Sequence, residues 1–219
     1  MDMEKWMRAR LWFYHFFAVS LLKIPSAENF SEFVRTDGPA NVPEAASAPG
    51  FKALFRVLQE MERYTRVDWE VLAKEYRRIF PSSGFMLVYP WESVYLSREH
   101  ILFDEHTLEV RRSMAAWNVA ADSQAEPADH IGLELSFLSV LTRKLLDGLA
   151  AGDTEAAAKN LQAQLNFLSG HLLLFSPDFC QKLCQITRHP FYRELAGFME
   201  HWLPYDFAAL TRAAAAKAR

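Results

Sequence analysis

Cysteine is nearly absent from this chain. Two residues in 219, Cys180 and Cys184, cannot build a disulfide framework, and their i,i+4 spacing supplies two ligands where a structural zinc site needs four. They read as small buried hydrophobes, and such low cysteine use fits a reducing cytoplasm. An excess of positive charge is also missing: 24 Lys and Arg against 27 Asp and Glu leave a formal charge of −3. A general nucleic-acid binder needs a basic face to displace counterions from phosphates, so that class is excluded. The pairs Arg77-Arg78 and Arg111-Arg112 are interleaved with Glu70, Glu75, Glu105 and Glu109 and read as solvated helix faces. No apolar run reaches the roughly 20 residues that span a bilayer. Residues 11–22, preceded by Lys5, Arg8 and Arg10, come nearest. Trp12, Phe13, Tyr14, Phe16 and Phe17 are too bulky for a signal peptide and His15 interrupts the run, so a core helix ended at Pro25 is expected, with no stable membrane insertion.

Catalytic signatures are lacking as well. There is no Gly-rich phosphate loop, no H-E-x-x-H, no G-x-S-x-G and no dinucleotide fingerprint. Strand alternation and internal repeats are absent too. What is present is apolar bulk, 51% of residues, arranged with a period near 3.6. Helices are expected from the N-terminus to Pro25, after a Ser26 cap (Phe30, Phe33, Val34), and over 51–61. Another is expected over 67–80, with Asp68 as cap and Val71, Leu72, Tyr76, Ile79 and Phe80 on its buried face. Further helices fall at 104–121 (Leu108, Arg111, Met114, Ala115), 129–150, 153–175 with Asp153 as cap, 177–188 and 190–216. The alanine-rich tail from 213 is expected to fray. The fold class is all-α: one helical bundle over 1–219, with loops at about 37–50 and 122–128 and an irregular hinge segment around 81–103.

Two stretches break the helical period. Pro81, Gly84 and Pro90 interrupt one, which contains Tyr89-Pro90-Trp91-Glu92-Ser93-Val94-Tyr95 and cannot be regular helix. The other is Pro127-Ala128-Asp129-His130-Ile131-Gly132-Leu133-Glu134-Leu135. Departures of this kind mark special backbone geometry or function. Asp129, just before an apolar helix, has the position of an N-cap. Gly132 in a first helical turn implies close approach of another backbone. His130 and Glu134 are four apart on one face, as two metal ligands would be, but no third ligand stands at readable spacing.

Four blocks resemble the TorD/DmsD-type chaperones of molybdoenzymes. They are Glu75-Tyr76-Arg77-Arg78-Ile79-Phe80, Pro90 through Tyr95, Pro127 through Leu135, and His171-Leu172 with Pro177, Phe179 and Pro190-Phe191-Tyr192. The match covers about 75–205. Ala128 replaces the first of a usual Asp pair, Pro81-Ser82-Ser83-Gly84 stands where a Gly-Pro is usual, and Phe175 stands where Trp is common. The resemblance implies an all-helical cytoplasmic chaperone and not an enzyme. Such a chaperone binds the twin-arginine signal peptide on the apo-form of a molybdoenzyme catalytic subunit and delays export until the cofactor is inserted. It implies no cofactor or metal of its own, and a monomer or domain-swapped homodimer. An apolar leader with two arginines needs an aromatic groove, for which Tyr76, Ile79, Phe80, Pro90, Trp91, Ser93, Val94 and Tyr95 are candidates. It also needs carboxylates for guanidinium, for which Asp129 with Glu92 or Glu134 are candidates, His130 orienting Asp129. The rivals are a metal-dependent enzyme centred on His130 and Glu134, and a helical interaction module with an unrelated partner.

Overall fold

The computed structural model describes residues 3–34, 46–82, 85–97, 104–120 and 126–217. Among them the chain is helical, without a sheet, in the order α1 (Met3–Leu22), α2 (Ala27–Val34), α3 (Phe51–Met61), α4 (Arg66–Ile79), α5 (Glu92–Leu96), α6 (Glu105–Ala115), α7 (Ile131–Ala150), α8 (Thr154–Phe167), a π turn (Leu168–Leu172), α9 (Leu173–Ile186) and α10 (Pro190–Lys217). None of these helices is long and apolar enough to cross a membrane.

Helix α1 forms the centre. Its aromatics point to several sides, and Trp6, Phe13, Tyr14, Phe16 and Phe17 are all buried. A helix that is apolar nearly all round has to be enclosed by others. It lies along α7 and also touches α10, while α8 covers α7 and α9 packs on α10. Edge and tilted ring pairs knit the centre, among them Phe13–Trp202 at 4.2 Å and Phe13–Phe198 at 4.9 Å between centroids.

One polar chain runs through this core. Arg10 Nε donates to Asp206 Oδ1 at 2.6 Å, and the Tyr14 hydroxyl donates to Asp206 Oδ2 at 2.6 Å. Thr142 links Arg10 to Gln164 and, through it, Asn160. Four helices, α1, α7, α8 and α10, are thereby tied at fixed heights.

A second tie holds α4. The Glu75 carboxylate accepts from Arg78 Nε and Nη2, both at 2.7 Å, from the Thr187 hydroxyl at 3.1 Å and from the Arg188 N–H at 2.6 Å. Arg78 Nη2 also donates to the Ile186 carbonyl. The α9–α10 turn is fastened to α4 by these bonds.

Several expectations are met and several are corrected. Ser26 caps α2 through the Asn29 N–H, and Asp153 caps α8 through the Ala156 N–H. The cap of α4 is Thr65 and not Asp68, which completes a capping box from the third helical position. Val71 is 50% exposed and Leu108 41% exposed; α4 buries the expected Leu72 and Ile79 together with Trp69, and α6 buries the expected Met114 together with Thr107 and Val110. Helix α6 stops at Ala115 rather than 121, turning at Asn118 with φ 54°. A short helix, α5, forms inside the irregular segment because Pro90 lies just outside it. The expected 153–175 helix is interrupted by the π turn, and Pro177 falls inside α9 instead of opening it. The tail stays helical to Lys217, with Ala213 buried. Cys180 is buried, but Cys184 is only half-buried. Most of the expected 37–50 loop and parts of the other two lie outside the described residues.

Candidate functional site

The structure brings the two aperiodic segments together. The Ile131 N–H donates to the Pro90 carbonyl at 2.7 Å, the Glu92 N–H donates to the Asp129 carbonyl at 3.0 Å, and Trp91 and His130 form an antiparallel bridge. Asp129 is fully buried. Its Oδ2 accepts from the Ser93 N–H at 3.0 Å and its Oδ1 from the Thr107 hydroxyl at 2.9 Å. Asp129 therefore satisfies the first turn of α5 from a distant part of the chain and ties α6 to it. The expected N-cap role on its own helix passes to His130, whose Nδ1 accepts from the Gly132 N–H at 3.0 Å. Gly132 is explained by a side chain and not by a backbone: a Cβ there would lie 2.6 Å from Leu22 Cγ.

Behind α5 sits a layer of acid and imidazole. Glu92 is fully buried, with His171 Nδ1 at 3.1 and 3.2 Å from its two oxygens and His106 Nδ1 at 3.5 Å. His171 is supplied by the π turn, an insertion often found where a helix must place a functional side chain. Glu134 is also fully buried, and among the described residues neither of its oxygens meets a hydrogen-bond donor. Burial first, then the neighbouring Glu92 and Asp129, push its carboxyl well above the usual range. Burial likewise pushes His130 down to about 4, against the opposing pull of Asp129.

Outside this layer lies an aromatic surface. The Phe85 ring, 79% exposed, stands 6.5 Å from Tyr89; Tyr89 stands 6.4 Å from Trp91; Trp91 meets His130 at 6.1 Å. The Tyr95 hydroxyl donates to the Tyr89 carbonyl at 2.9 Å, and its ring packs on Phe175. The Glu126 carboxyl faces the Trp91 indole and the Tyr76 hydroxyl; burial raises it, and Trp91 pulls it down. Tyr76 is itself pushed up to about 12 by burial and by Glu126. Its hydroxyl donates to the Leu21 carbonyl, and its ring lies 5.3 Å from Phe80.

The residues expected from the sequence thus divide in two. Tyr76, Phe80, Val94 and Tyr95 are half-buried at the surface, and Trp91 lies just beneath it. Ile79, Pro90, Glu92, Ser93, Asp129, His130 and Glu134 are buried. His106, Thr107, His171, Glu126, Phe85 and Tyr89 also belong to the site and were not among the candidates expected from the sequence. Tyr89 opened one of the two aperiodic stretches and His171-Leu172 stood in a block of the resemblance; the others carried no signal. Among the described residues no group of three or more His, Cys, Asp or Glu is placed to hold a metal ion. His130 Nδ1 is occupied as a cap and Glu134 points inward to Glu92, so the pair does not act as two ligands. A depression of about 710 Å³ beside α3, lined by Ala46, Pro49, Gly50, Lys52 and Ala53 among others, shares no residue with this site.

Residues 44–181 match the model of the nitrate reductase delta subunit family, and the chain belongs to that family. Curated relatives include the chaperone protein TorD of Aliivibrio fischeri, 27% identical over 136 residues and 62% of each chain. The chaperone protein TorD of Vibrio cholerae is 26% identical over 207 residues, 93% of this chain and 90% of the relative. The Tat proofreading chaperone DmsD of Salmonella typhi is 32% identical over 127 residues, 58% of this chain and 55% of the relative. The chain thus spans under two thirds of two of these relatives and nearly all of the third. The resemblance drawn from the four sequence blocks is borne out.

Proposed function

We propose that this protein is a system-specific cytoplasmic chaperone for a redox-enzyme precursor, binding the twin-arginine signal peptide of a molybdoenzyme catalytic subunit before export. The observation that carries this reading is the surface of Phe85, Tyr89, Trp91 and Tyr95 with Glu126 at its edge, built on a segment that Asp129 pins from below. Rigid aromatics accept an apolar helical leader at low entropic cost, and a carboxylate in an apolar rim favours a guanidinium, which it can grip with two parallel hydrogen bonds. Tyr76, Phe80 and Val94 extend the apolar seat. Pro90, Glu92, Ser93, Asp129, His130 and Glu134 lie buried beneath it and hold it in shape. The relatives' names, chaperone and Tat proofreading chaperone, support this class of work. No bond is made or broken in such a role.

Titration calorimetry tests it, with a synthetic twin-arginine leader and its Lys-Lys counterpart. Binding of the first, weakened about tenfold or more in the second, is the expected result. Equal affinities, or none for either peptide, would reject the assignment. We read residues 1–219 as one folding unit, for which a single urea transition followed by fluorescence and circular dichroism alike is expected.

A further inference from the structure

We infer that the Glu134–Glu92 carboxyl pair is a proton-held latch that keeps the 90–97 segment seated on α7, and that loss of this proton releases the segment. Two buried carboxylates facing each other are both acceptors and cannot bond. Neither Glu134 oxygen has a donor among the described residues, so as an anion Glu134 would sit buried and unsatisfied. Protonated, it becomes a donor, and Glu92 is the acceptor within its reach. The groups around the pair come from every packed element: Asp129 and His130 from the entry to α7, His106 from α6 and His171 from the π turn. Among the described residues no lysine or arginine acts on Glu134. If its proton leaves, Glu134 adds a carboxylate to a dry space where the Ser93 N–H and the Thr107 hydroxyl already serve Asp129 and the imidazoles of His171 and His106 face Glu92, and the least costly relief is to bring it to water.

The element that can yield is α5. It has five residues, and the ties that join it to the start of α7 and to the buried layer are the Trp91–His130 bridge, the Asp129 cap and the Glu92 contacts. Lifting it bares Asp129, Glu92 and Glu134 next to Trp91, which is the arrangement of acid and ring that a guanidinium takes. This consequence rests on the peptide-binding reading above and makes the latch its regulator; the latch itself does not depend on it. The closed form binds the proton more tightly than the open one. Closure is therefore fully favoured below the ordinary glutamate value of 4.5 and is progressively lost as pH rises toward the raised value of Glu134.

Amide hydrogen exchange at Glu92, Ser93 and Ile131, corrected for intrinsic exchange, tests this from about pH 5 to about pH 8. In the unmodified chain their opening should rise by up to about tenfold per pH unit, the slope for one proton released. In Glu134→Gln, which keeps a donor but no titrating proton, that rise should disappear, while α8 amides behave alike in both proteins. A flat profile in the unmodified chain, or the same slope in the variant, would overturn the latch. Infrared difference spectra provide a check that needs no exchange data: a protonated-carboxyl stretch present at neutral pH and lost in Glu134→Gln supports it, and its absence overturns it. Calorimetry with the arginine leader in two buffers of different ionisation heat separates the readings. Peptide that binds with proton release supports both, whereas peptide that fails to bind removes the functional reading and leaves exchange to decide the latch.

Discussion

The carboxylate of Asp129 accepts the backbone N–H of Ser93 at 3.0 Å across 36 residues of sequence. That bond, with the Thr107 hydroxyl on the other oxygen, makes Asp129 the post on which the start of α5 stands. A charged acceptor lost from a buried backbone donor costs about 1–3 kcal/mol. Asp129→Ala should therefore lower urea stability by that amount and weaken leader binding, with helix content nearly unchanged. Trp91→Ala should weaken leader binding by a similar ~1–3 kcal/mol, the range of a buried aromatic anchor. Calorimetry returning unmodified affinities for both variants would remove the 90–97 segment from the binding surface.

Gly132→Ala should destabilise the protein although alanine is the better helix former. The new methyl would meet Leu22 Cγ at 2.6 Å, and overpacking of this kind costs about 1–3 kcal/mol against a propensity gain near ~1. Adding Leu22→Ala should make the second substitution less harmful than it is alone. Strict additivity in a double-mutant cycle would show that the two side chains do not meet.

The Arg10–Asp206 pair should show the asymmetry of buried ions. Asp206→Ala leaves a guanidinium buried with no counter-charge and should cost about 3–5 kcal/mol. Replacing both residues by apolar ones of similar volume should cost much less. Equal losses from the single and double replacements, read from urea midpoints, would contradict this.

Two acid-side effects have assignable windows. Glu75, pushed against burial by Arg78 and the Arg188 N–H, lies at about 2 where an unfolded glutamate lies at 4.5. Its contribution is present above 4.5 and disappears as pH falls through about 2. Glu75→Gln should cost about 1–2 kcal/mol at neutral pH, allowing for solvent screening, and nothing at the acid end.

His130, lowered from 6.5 to about 4 chiefly by burial, contributes stability above 6.5 that is lost as pH falls toward 4. An asparagine keeps a capping acceptor without a titrating ring, so His130→Asn should flatten that limb of the stability profile by up to about 3 kcal/mol. A limb of unchanged steepness in chemical-denaturation series across pH would assign the acid sensitivity elsewhere.

Periodicity made the helices legible. Residues 51–61 and 190–217 formed nearly where the 3.6 spacing put them, because that pattern is a property of neighbouring turns. The two aperiodic segments also stood out as places where something other than helix propensity decides. Faces were read less well. Val71 and Leu108 fit an apolar stripe yet face outward, since a stripe records which side chains share a face and not whether a neighbour arrives to cover it. The π turn at Leu168–Leu172 had no visible mark.

The chain by itself determined an all-helical protein with a crowded aromatic centre and two interrupted segments, since burying apolar area with a 3.6 period is a local requirement. Only the tertiary structure decided that Asp129 serves α5 rather than its own helix, that Glu134 faces Glu92, and that Glu126 with Phe85 and Tyr89 meets the solvent side. Those relations join residues tens of positions apart, and their energies depend on distance and on the exclusion of water, neither of which is written in the order of the residues.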